Sequence, residues 1–126
     1  NEDVLEYSPA EQFDLILSIS TFEHIGFDDE ADGDSGEKIR RALTACQALL
    51  ADAGRLVLTV PLGYNTALDA LIADDQLQSD RAFFIRRTGR LQWEPATAEV
   101  ALDCRYGSPF PYANAVMIAE FGRAAA

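Results

Sequence analysis

The sequence has few of the residues that bind metals, nucleic acids or membranes. One histidine and two cysteines, without a Cys-x-x-Cys pair or a cysteine/histidine cluster, give no zinc-site pattern. The 10 basic residues are scattered and outnumbered by 21 acids, and the formal charge of −11 disfavours nucleic acid and anionic lipid. No apolar run approaches the roughly 20 residues that span a bilayer. We therefore expect no zinc site, no nucleic-acid partner and no membrane insertion.

The length of 126 residues suits one domain, residues 1–126, with a proper core. The first residues are acidic and lack the apolar segment of a secretory signal, so we expect a cytoplasmic protein. The chain has no initial methionine and begins as if within an element, so we expect a fragment or a partial chain. No glycine-rich phosphate or nucleoside loop precedes the first predicted strand.

The hydrophobic pattern predicts an α/β fold. Buried strands and helical stripes alternate, which favours right-handed crossovers on a mostly parallel sheet, with the last two strands as an antiparallel pair at the edge. Residues 99–104 fit either a short helix or a strand. The predicted strands are 13–19, 55–61, 82–87 and 115–121, and the predicted helices are 35–51 and a short one after Asn65.

Caps refine the boundaries of the first helix. Asp34 and Glu37 can form a capping box at its start, and Gly54 is placed to end it in a left-handed conformation. Cys46 lies on the apolar stripe of this helix, where we expect a reduced, packed thiol. Pro61 closes the second strand, because proline cannot donate to a ladder.

The first candidate site lies where strand 13–19 ends, since ligands of open α/β sheets gather at the carboxyl ends of strands. Histidine has an unperturbed pKa close to neutrality, so His24 suits proton removal, with Glu23 orienting the ring or an acceptor. The alternative is that Glu23 only begins an acidic loop and that His24 caps or packs. The small polar residues Ser18, Ser20 and Thr21 allow a ligand to approach closely, or simply end the strand.

A second set of candidates can form the wall of an acceptor pocket. The alternative for its aromatic members is a loop packed over the sheet. These residues are Tyr64, Asn65, Tyr106, Phe110 and Tyr112.

The acidic stretch 28–34 has the start of a calcium loop, with acids at alternate positions before a glycine. The closing bidentate glutamate falls at Ile39, so a solvated loop leading into a helix is the better interpretation.

Two segments resemble motifs of class I S-adenosylmethionine-dependent methyltransferases. The segment from Phe13 to Gly26 resembles the fourth-strand motif, and the segment from Leu49 to Pro61 resembles the helix-to-fifth-strand motif, at a fitting spacing. The resemblance implies a partial Rossmann-like sheet of parallel strands with a final antiparallel strand. It covers the chain from residue 3 as the C-terminal half of the domain, without the N-terminal cofactor-binding half.

The resemblance also implies S-adenosylmethionine as cofactor if the parent chain is complete. Asp3 and Val4 would lie near the adenine amino group, and Ser18, Ser20 and Thr21 beside the methionine part. Some relatives carry a magnesium-binding acid three residues before the Glu-His pair; this chain has Ser20 there, so no metal is expected.

The function that we predict is methyl transfer to a small-molecule or sugar acceptor. The preference for a sugar acceptor follows from the resemblance, because relatives with a similar sequence around Glu23-His24 and Tyr64-Asn65 often belong to polysaccharide assembly. One alternative is an inert fold fragment or a protein-interaction module without cofactor binding. Another is a different doubly wound nucleotide binder, which would need a phosphate loop that this sequence lacks.

Strand 13–19 would normally pair with the missing half, so we expect self-association through its exposed edge.

Overall fold

The computed structural model of the chain describes residues 11–25 and 35–123. The predicted strands are all present, residues 99–104 belong largely to a helix, and the stretch after Arg90 forms an additional strand. The elements are β1 (Phe13–Ile19), a 3₁₀ turn (Phe22–His24), α1 (Ser35–Ala48), β2 (Leu50–Pro61), α2 (Thr66–Ala73), β3 (Arg81–Gly89), β4 (Gln92–Ala96), α3 (Ala98–Leu102) and β5 (Ala115–Gly122).

The strands form one sheet in the order β1-β2-β5-β3-β4. β1 and β2 are parallel, with Leu17 opposite Val57. β5 runs antiparallel to both of its neighbours, β2 and β3, so β1, β2 and β3 all point the same way. The predicted fold class, an α/β sheet of parallel strands with a final antiparallel strand, is therefore confirmed.

The predicted position of the final strand is wrong. The sequence suggested an antiparallel pair at the sheet edge, but β5 lies in the interior between β2 and β3. β5 pairs with β2 on one side and with β3 on the other, and every second residue of β5 is buried on the core face. The edge is formed instead by β4, which pairs with β3 as a hairpin.

The core fills one face of the sheet. Alternate residues of β2 and β5, among them Leu58 and Phe121, pack with Ile39 of α1 and Leu68 of α2. The apolar stripe predicted for α1 is buried there, including Cys46, and this burial raises the pKa of the Cys46 thiol. No helix in the described ranges is long and apolar enough to cross a membrane.

The predicted end of the first helix is wrong. α1 stops at Ala48, and Leu50 already pairs with Phe13 of β1. Gly54 lies inside β2, without the left-handed conformation expected of a helix cap. A Cβ built on Gly54 would lie 2.6 Å from the Phe13 carbonyl oxygen, so the glycine permits a close approach of two strands where their register shifts. Asp34 of the predicted capping box and the acidic stretch 28–34 lie outside the described residues.

The opposite face of the sheet is mixed, with exposed apolar side chains on its outer strands, half-buried side chains in its centre and the ion pair of Arg55 with Glu120. One row across it consists of Ile19, Thr59, Ile118 and Phe83, taken in strand order. Ile19 is 68% exposed and Phe83 61% exposed. Leu15 and Leu17 lie on the same face as Ile19 and continue this surface along β1.

Candidate functional site

The candidate site forms where the carboxyl ends of β1 and β2 meet the start of β5. The Ser20 amide donates to the Thr59 carbonyl over 2.8 Å, which holds the end of β1 against β2. The Leu62 amide donates to the Ala115 carbonyl over 2.9 Å, which brings the start of β5 to the same edge. The segments after β1, after β2 and before β5 therefore converge, as the sheet direction requires.

His24 sits on the 3₁₀ turn that follows β1. Phe22 anchors this turn because its side chain is buried in the core. The His24 side chain remains 61% exposed. The Tyr64 hydroxyl lies 3.4 Å from His24 Nδ1, and the two rings meet edge to face with centroids 5.2 Å apart. The structure thus brings together two side chains that the sequence places 40 residues apart.

Glu23 lies on the other side of the imidazole. Its Oε2 is 3.7 Å from His24 Nε2, an ion-pair distance if the ring is protonated. The residue is only 3% exposed, and Oε1 has no hydrogen-bond partner within the described part of the chain. A buried carboxylate oxygen left unsatisfied is costly, so this atom is a ready acceptor for a donor from a bound molecule.

Tyr106 extends the aromatic surface. Its ring meets the Tyr64 ring edge to face at 4.9 Å, and we call His24, Tyr64 and Tyr106 the ring row. Gly63 makes this contact possible: it has φ +79°, and a Cβ there would lie 2.7 Å from the Cys104 carbonyl oxygen. Only glycine allows the chain after β2 to pass this close to the segment that carries Tyr106.

Asn65 is part of the frame that supports the ring row. It is buried, and its Oδ1 accepts from the amides of Ala67 and Leu68, so Asn65 caps the start of α2, the short helix predicted to follow it. Its Nδ2 donates to the Glu23 carbonyl over 2.9 Å. The amide thereby joins the turn after β1 to the helix after β2.

The remaining predicted acceptor residues lie farther along the loop before β5. The Phe110 ring packs under the Arg87 guanidinium at 4.9 Å. Tyr112 is 75% exposed and has φ +67°, while its carbonyl accepts from Gly107. Ring contacts therefore join Tyr64 and Tyr106 to His24, and among the described residues no ring contact joins Phe110 or Tyr112 to them.

The predicted cofactor residues after β1 have different surroundings. Ser18 is half-buried opposite Leu58, on the helix-covered side of the sheet. Ser20 has φ +51°, a left-handed conformation that turns the chain sharply out of the strand. The Thr21 hydroxyl donates back to the Ile19 carbonyl. Asp3 and Val4 lie outside the described residues.

Two polar residues that sequence reasoning missed hold the site together. Asn114 is buried, and its Nδ2 donates to the carbonyls of Arg105, Phe110 and Tyr112, which fixes the shape of the loop before β5. Asp69 accepts from the Gly63 amide over 3.0 Å. Asp69 follows the helix cap, a place where acids are common, and Asn114 carries no periodic signal, so nothing in the sequence singled them out.

Burial acts on Asp69 more strongly than its hydrogen bond does. Its second oxygen is buried and has no hydrogen-bond partner among residues 11–25 and 35–123. Desolvation raises the pKa of this carboxyl above its ordinary value, and the Gly63 amide opposes that shift.

No three histidine, cysteine, aspartate or glutamate side chains within the described ranges are grouped to hold a metal ion. The titratable side chains of the ring row are the His24 imidazole and the phenols of Tyr64 and Tyr106, and the Glu23 carboxylate lies beside His24.

No family model and no curated protein matches the chain. Solved structures are similar to it, and three of them follow. The N-methyltransferase NodS from Bradyrhizobium japonicum WM9 in complex with S-adenosyl-L-homocysteine is 18% identical, over 98% of this chain and 53% of that one, with a TM-score of 0.48. A second NodS structure is also 18% identical, over 98% and 58%, with a TM-score of 0.46.

The third is an S-adenosylmethionine-dependent methyltransferase from Clostridium acetobutylicum ATCC 824. It is 13% identical over 96% of this chain and 63% of that one, with a TM-score of 0.42. The chain thus spans between about half and two-thirds of the length of these structures.

Proposed function

We propose that this chain forms the acceptor side of an S-adenosylmethionine-dependent methyltransferase that acts on a small molecule or a sugar. One observation carries the proposal. The chain's only histidine lies exposed at the carboxyl ends of two parallel strands, between a buried carboxylate and a tyrosine hydroxyl. A general base needs this combination of access to substrate and a fixed orientation.

His24 Nδ1 is the base in this proposal. With Nε2 protonated toward Glu23, the lone pair on Nδ1 faces the Tyr64 hydroxyl. The acceptor's proton would pass to Nδ1, directly or through that hydroxyl, as its oxygen or nitrogen formed a bond to the methyl carbon and the carbon–sulfur bond broke to leave S-adenosylhomocysteine. The Glu23 carboxylate stabilises the imidazolium that results, because opposite charges 3.7 Å apart attract strongly in a partly buried site. Proton transfer of this kind contributes about 10²- to 10⁴-fold to a rate.

S-adenosylmethionine supplies an electrophilic methyl group on its sulfonium when it is bound. The residues proposed to hold it are Ser18, Ser20 and Thr21, with Asp3 and Val4 on the adenine side. The buried, unsatisfied Oε1 of Glu23 fits a cofactor that brings hydrogen-bond donors such as an amino group or ribose hydroxyls. Ser20 has a left-handed backbone conformation and a short side chain, so little side-chain volume stands at the end of β1.

Two features support a small-molecule or sugar acceptor. The phenol rings of Tyr64 and Tyr106 offer an apolar wall next to His24, with hydroxyls at their edges. The formal charge of −11 disfavours a nucleic-acid acceptor. An acceptor with a compact polar ring and an apolar face suits this surface.

Calorimetric titration of the full-length protein with S-adenosylhomocysteine tests cofactor binding. A second measurement follows methyl consumption from S-adenosylmethionine with a panel of sugars and amino sugars. We expect saturable binding, and turnover that His24→Gln lowers about 10²- to 10⁴-fold without changing cofactor affinity. No heat at millimolar ligand would reject the methyltransferase function.

A protein-interaction module without cofactor binding is the second candidate, and the apolar face of β1 favours it. Leu17 is 59% exposed and Ile19 is 68% exposed, on an edge strand. An apolar surface of this kind commonly marks a contact site. The same titration separates the candidates, because the module would show no cofactor heat while retaining association.

A further inference from the structure

An arginine-lined cleft lies on the same edge of the sheet as the ring row. Its volume is about 480 Å³, and its walls come from the end of β3, the segment after α3 and the loop before β5. We call it the arginine cleft. Its lining residues are Arg86, Arg87, Asp103, Cys104, Arg105, Ser108, Pro109 and Asn114.

The charge of this cleft runs against that of the chain. Acids outnumber bases 21 to 10 in the sequence, yet the cleft is lined by three arginines and a single acid, Asp103. Arg86 pairs with Glu94 at 3.3 Å, but both side chains are about half exposed, so water screens this pair and a competing anion can displace it. Asp103 is the residue that caps the end of α3. Because three arginines face this single carboxylate, the lining of the cleft has a net positive charge.

Arg87 is held in place before any ligand arrives. Its guanidinium donates to the carbonyls of Arg90 and Pro111 and lies over the Phe110 ring. The loop that supplies Pro111 is in turn fixed by Asn114. A preorganised guanidinium binds an anion at a lower entropic cost than one on a free side chain.

Arg105 is the cation that remains available. Throughout the described ranges, no residue forms a hydrogen bond or ion pair with its guanidinium, and the residue is exposed. Its backbone is nevertheless fixed, because its carbonyl accepts from Asn114 and its neighbour Tyr106 packs on Tyr64. The arginine cleft therefore begins one residue away from the ring row.

We propose that the arginine cleft binds an anionic group, a carboxylate or a phosphate, carried by the methyl acceptor. Guanidinium groups recognise both anions through paired, charge-assisted hydrogen bonds. An acceptor held there by its anion extends toward Tyr106 and His24. The identity of the ligand as the acceptor rests on the proposed function, whereas anion binding in the cleft does not.

Titration of the full-length protein with four probes tests the proposal. They are glucose 1-phosphate, glucuronate, glucose and inorganic phosphate, followed by calorimetry and by the fluorescence of Trp93, the single tryptophan. Its ring centroid lies 5.8 Å from the Arg87 guanidinium carbon, so its emission reports on this cleft. We expect a charged sugar to bind saturably, glucose to bind at least about 10-fold more weakly, and affinity to fall with added salt.

Arg105→Gln and Arg86→Gln each should weaken that binding by roughly 10-fold, since each removes a charge-assisted donor. Arg123→Gln is the matched control. It makes the same change of charge beyond the other end of β5, where Arg123 pairs with exposed Asp52, and should leave affinity unchanged.

The outcomes separate the two proposals. Equal affinity of inorganic phosphate and the sugar phosphate would overturn the acceptor assignment and leave a free-anion site. No binding of either charged sugar, or equal losses in Arg105→Gln and Arg123→Gln, would overturn the cleft itself. Cofactor binding to the same protein, measured separately with S-adenosylhomocysteine, would stand or fall independently of these results.

Discussion

The side-chain amide of Asn65 donates to the backbone carbonyl of Glu23 over 2.9 Å, linking residues 42 positions apart. The same side chain caps α2 through its oxygen. One buried residue thus fixes both the turn that carries His24 and the helix that follows Tyr64.

Asn65→Ala should therefore destabilise the protein by about 2–3 kcal/mol, as the sum of a lost helix cap and an unsatisfied buried carbonyl. Urea unfolding measures this free energy. Asn65→Ser is the matched control, because its hydroxyl can still cap α2 but carries no amide donor that reaches the Glu23 carbonyl; its cost should be clearly smaller. Equal costs for the two variants would show that the link to Glu23 contributes most of the stability.

Tyr64→Phe tests whether the hydroxyl at 3.4 Å assists His24 as a positioning group. We expect kcat to fall roughly 2- to 10-fold, the equivalent of one neutral hydrogen bond, with KM and thermal stability unchanged. Tyr112→Phe, a change at a 75% exposed ring, should have no effect. A lowered melting temperature without a change in kcat would assign Tyr64 a packing role only.

Asp69→Asn tests the effect of burial at the frame of the site. Because the pKa of Asp69 is raised by folding, its contribution to stability is present below the ordinary aspartate pKa and is lost as pH rises through the raised value. The free energy of unfolding of the variant should therefore fall less over that window, and at neutral pH the variant should gain on the wild type.

Parallel unfolding curves measured between acid and neutral pH check this. Asp75→Asn serves as control, since Asp75 is exposed and asparagine tolerates its left-handed conformation. If Asp69→Asn and Asp75→Asn change the pH dependence equally, burial of Asp69 is not the cause.

β1 gives a prediction about association between copies of the chain. It is an edge strand with four apolar side chains exposed on one face and Asp14 as its only charge, and an antiparallel copy is self-complementary to it. We expect sedimentation to show dimers or larger species at micromolar concentration, and Leu17→Lys to shift them to monomer with unfolding free energy changed by less than about 0.5 kcal/mol. Leu91→Lys, at an exposed turn, should leave association intact. Wild-type protein that stays monomeric throughout would contradict this expectation.

The sequence was sufficient for β1, β2, β3 and β5, because these strands follow short-range patterns, whereas β4 was not predicted. Period and composition predicted β1 and β2, and their carboxyl ends are where His24 and Tyr64 meet. Long-range pairing limited the rest. Leu50 fits a helical stripe by spacing but pairs with Phe13. β5 lies between β2 and β3, and no local pattern in the sequence identifies these two strands as its neighbours.

The supporting groups of the site were likewise outside the reach of local patterns. Asn114 and Asp69 act through bonds whose partners are set by the fold, including an Asn114 contact nine residues back along the chain. The arginine cleft depends on bringing β3 beside the segment after α3, which charge counting along the sequence cannot show.

The single imidazole of the protein provides the most direct test of the account, because His24 is the only histidine and its ring signals in NMR spectra need no assignment by mutation. We would titrate S-adenosylhomocysteine into the full-length protein and follow those signals. We predict a saturable shift of the His24 resonances in step with the calorimetric binding curve. Ring signals that stay unmoved at saturating ligand, or a protein that binds none, would contradict it.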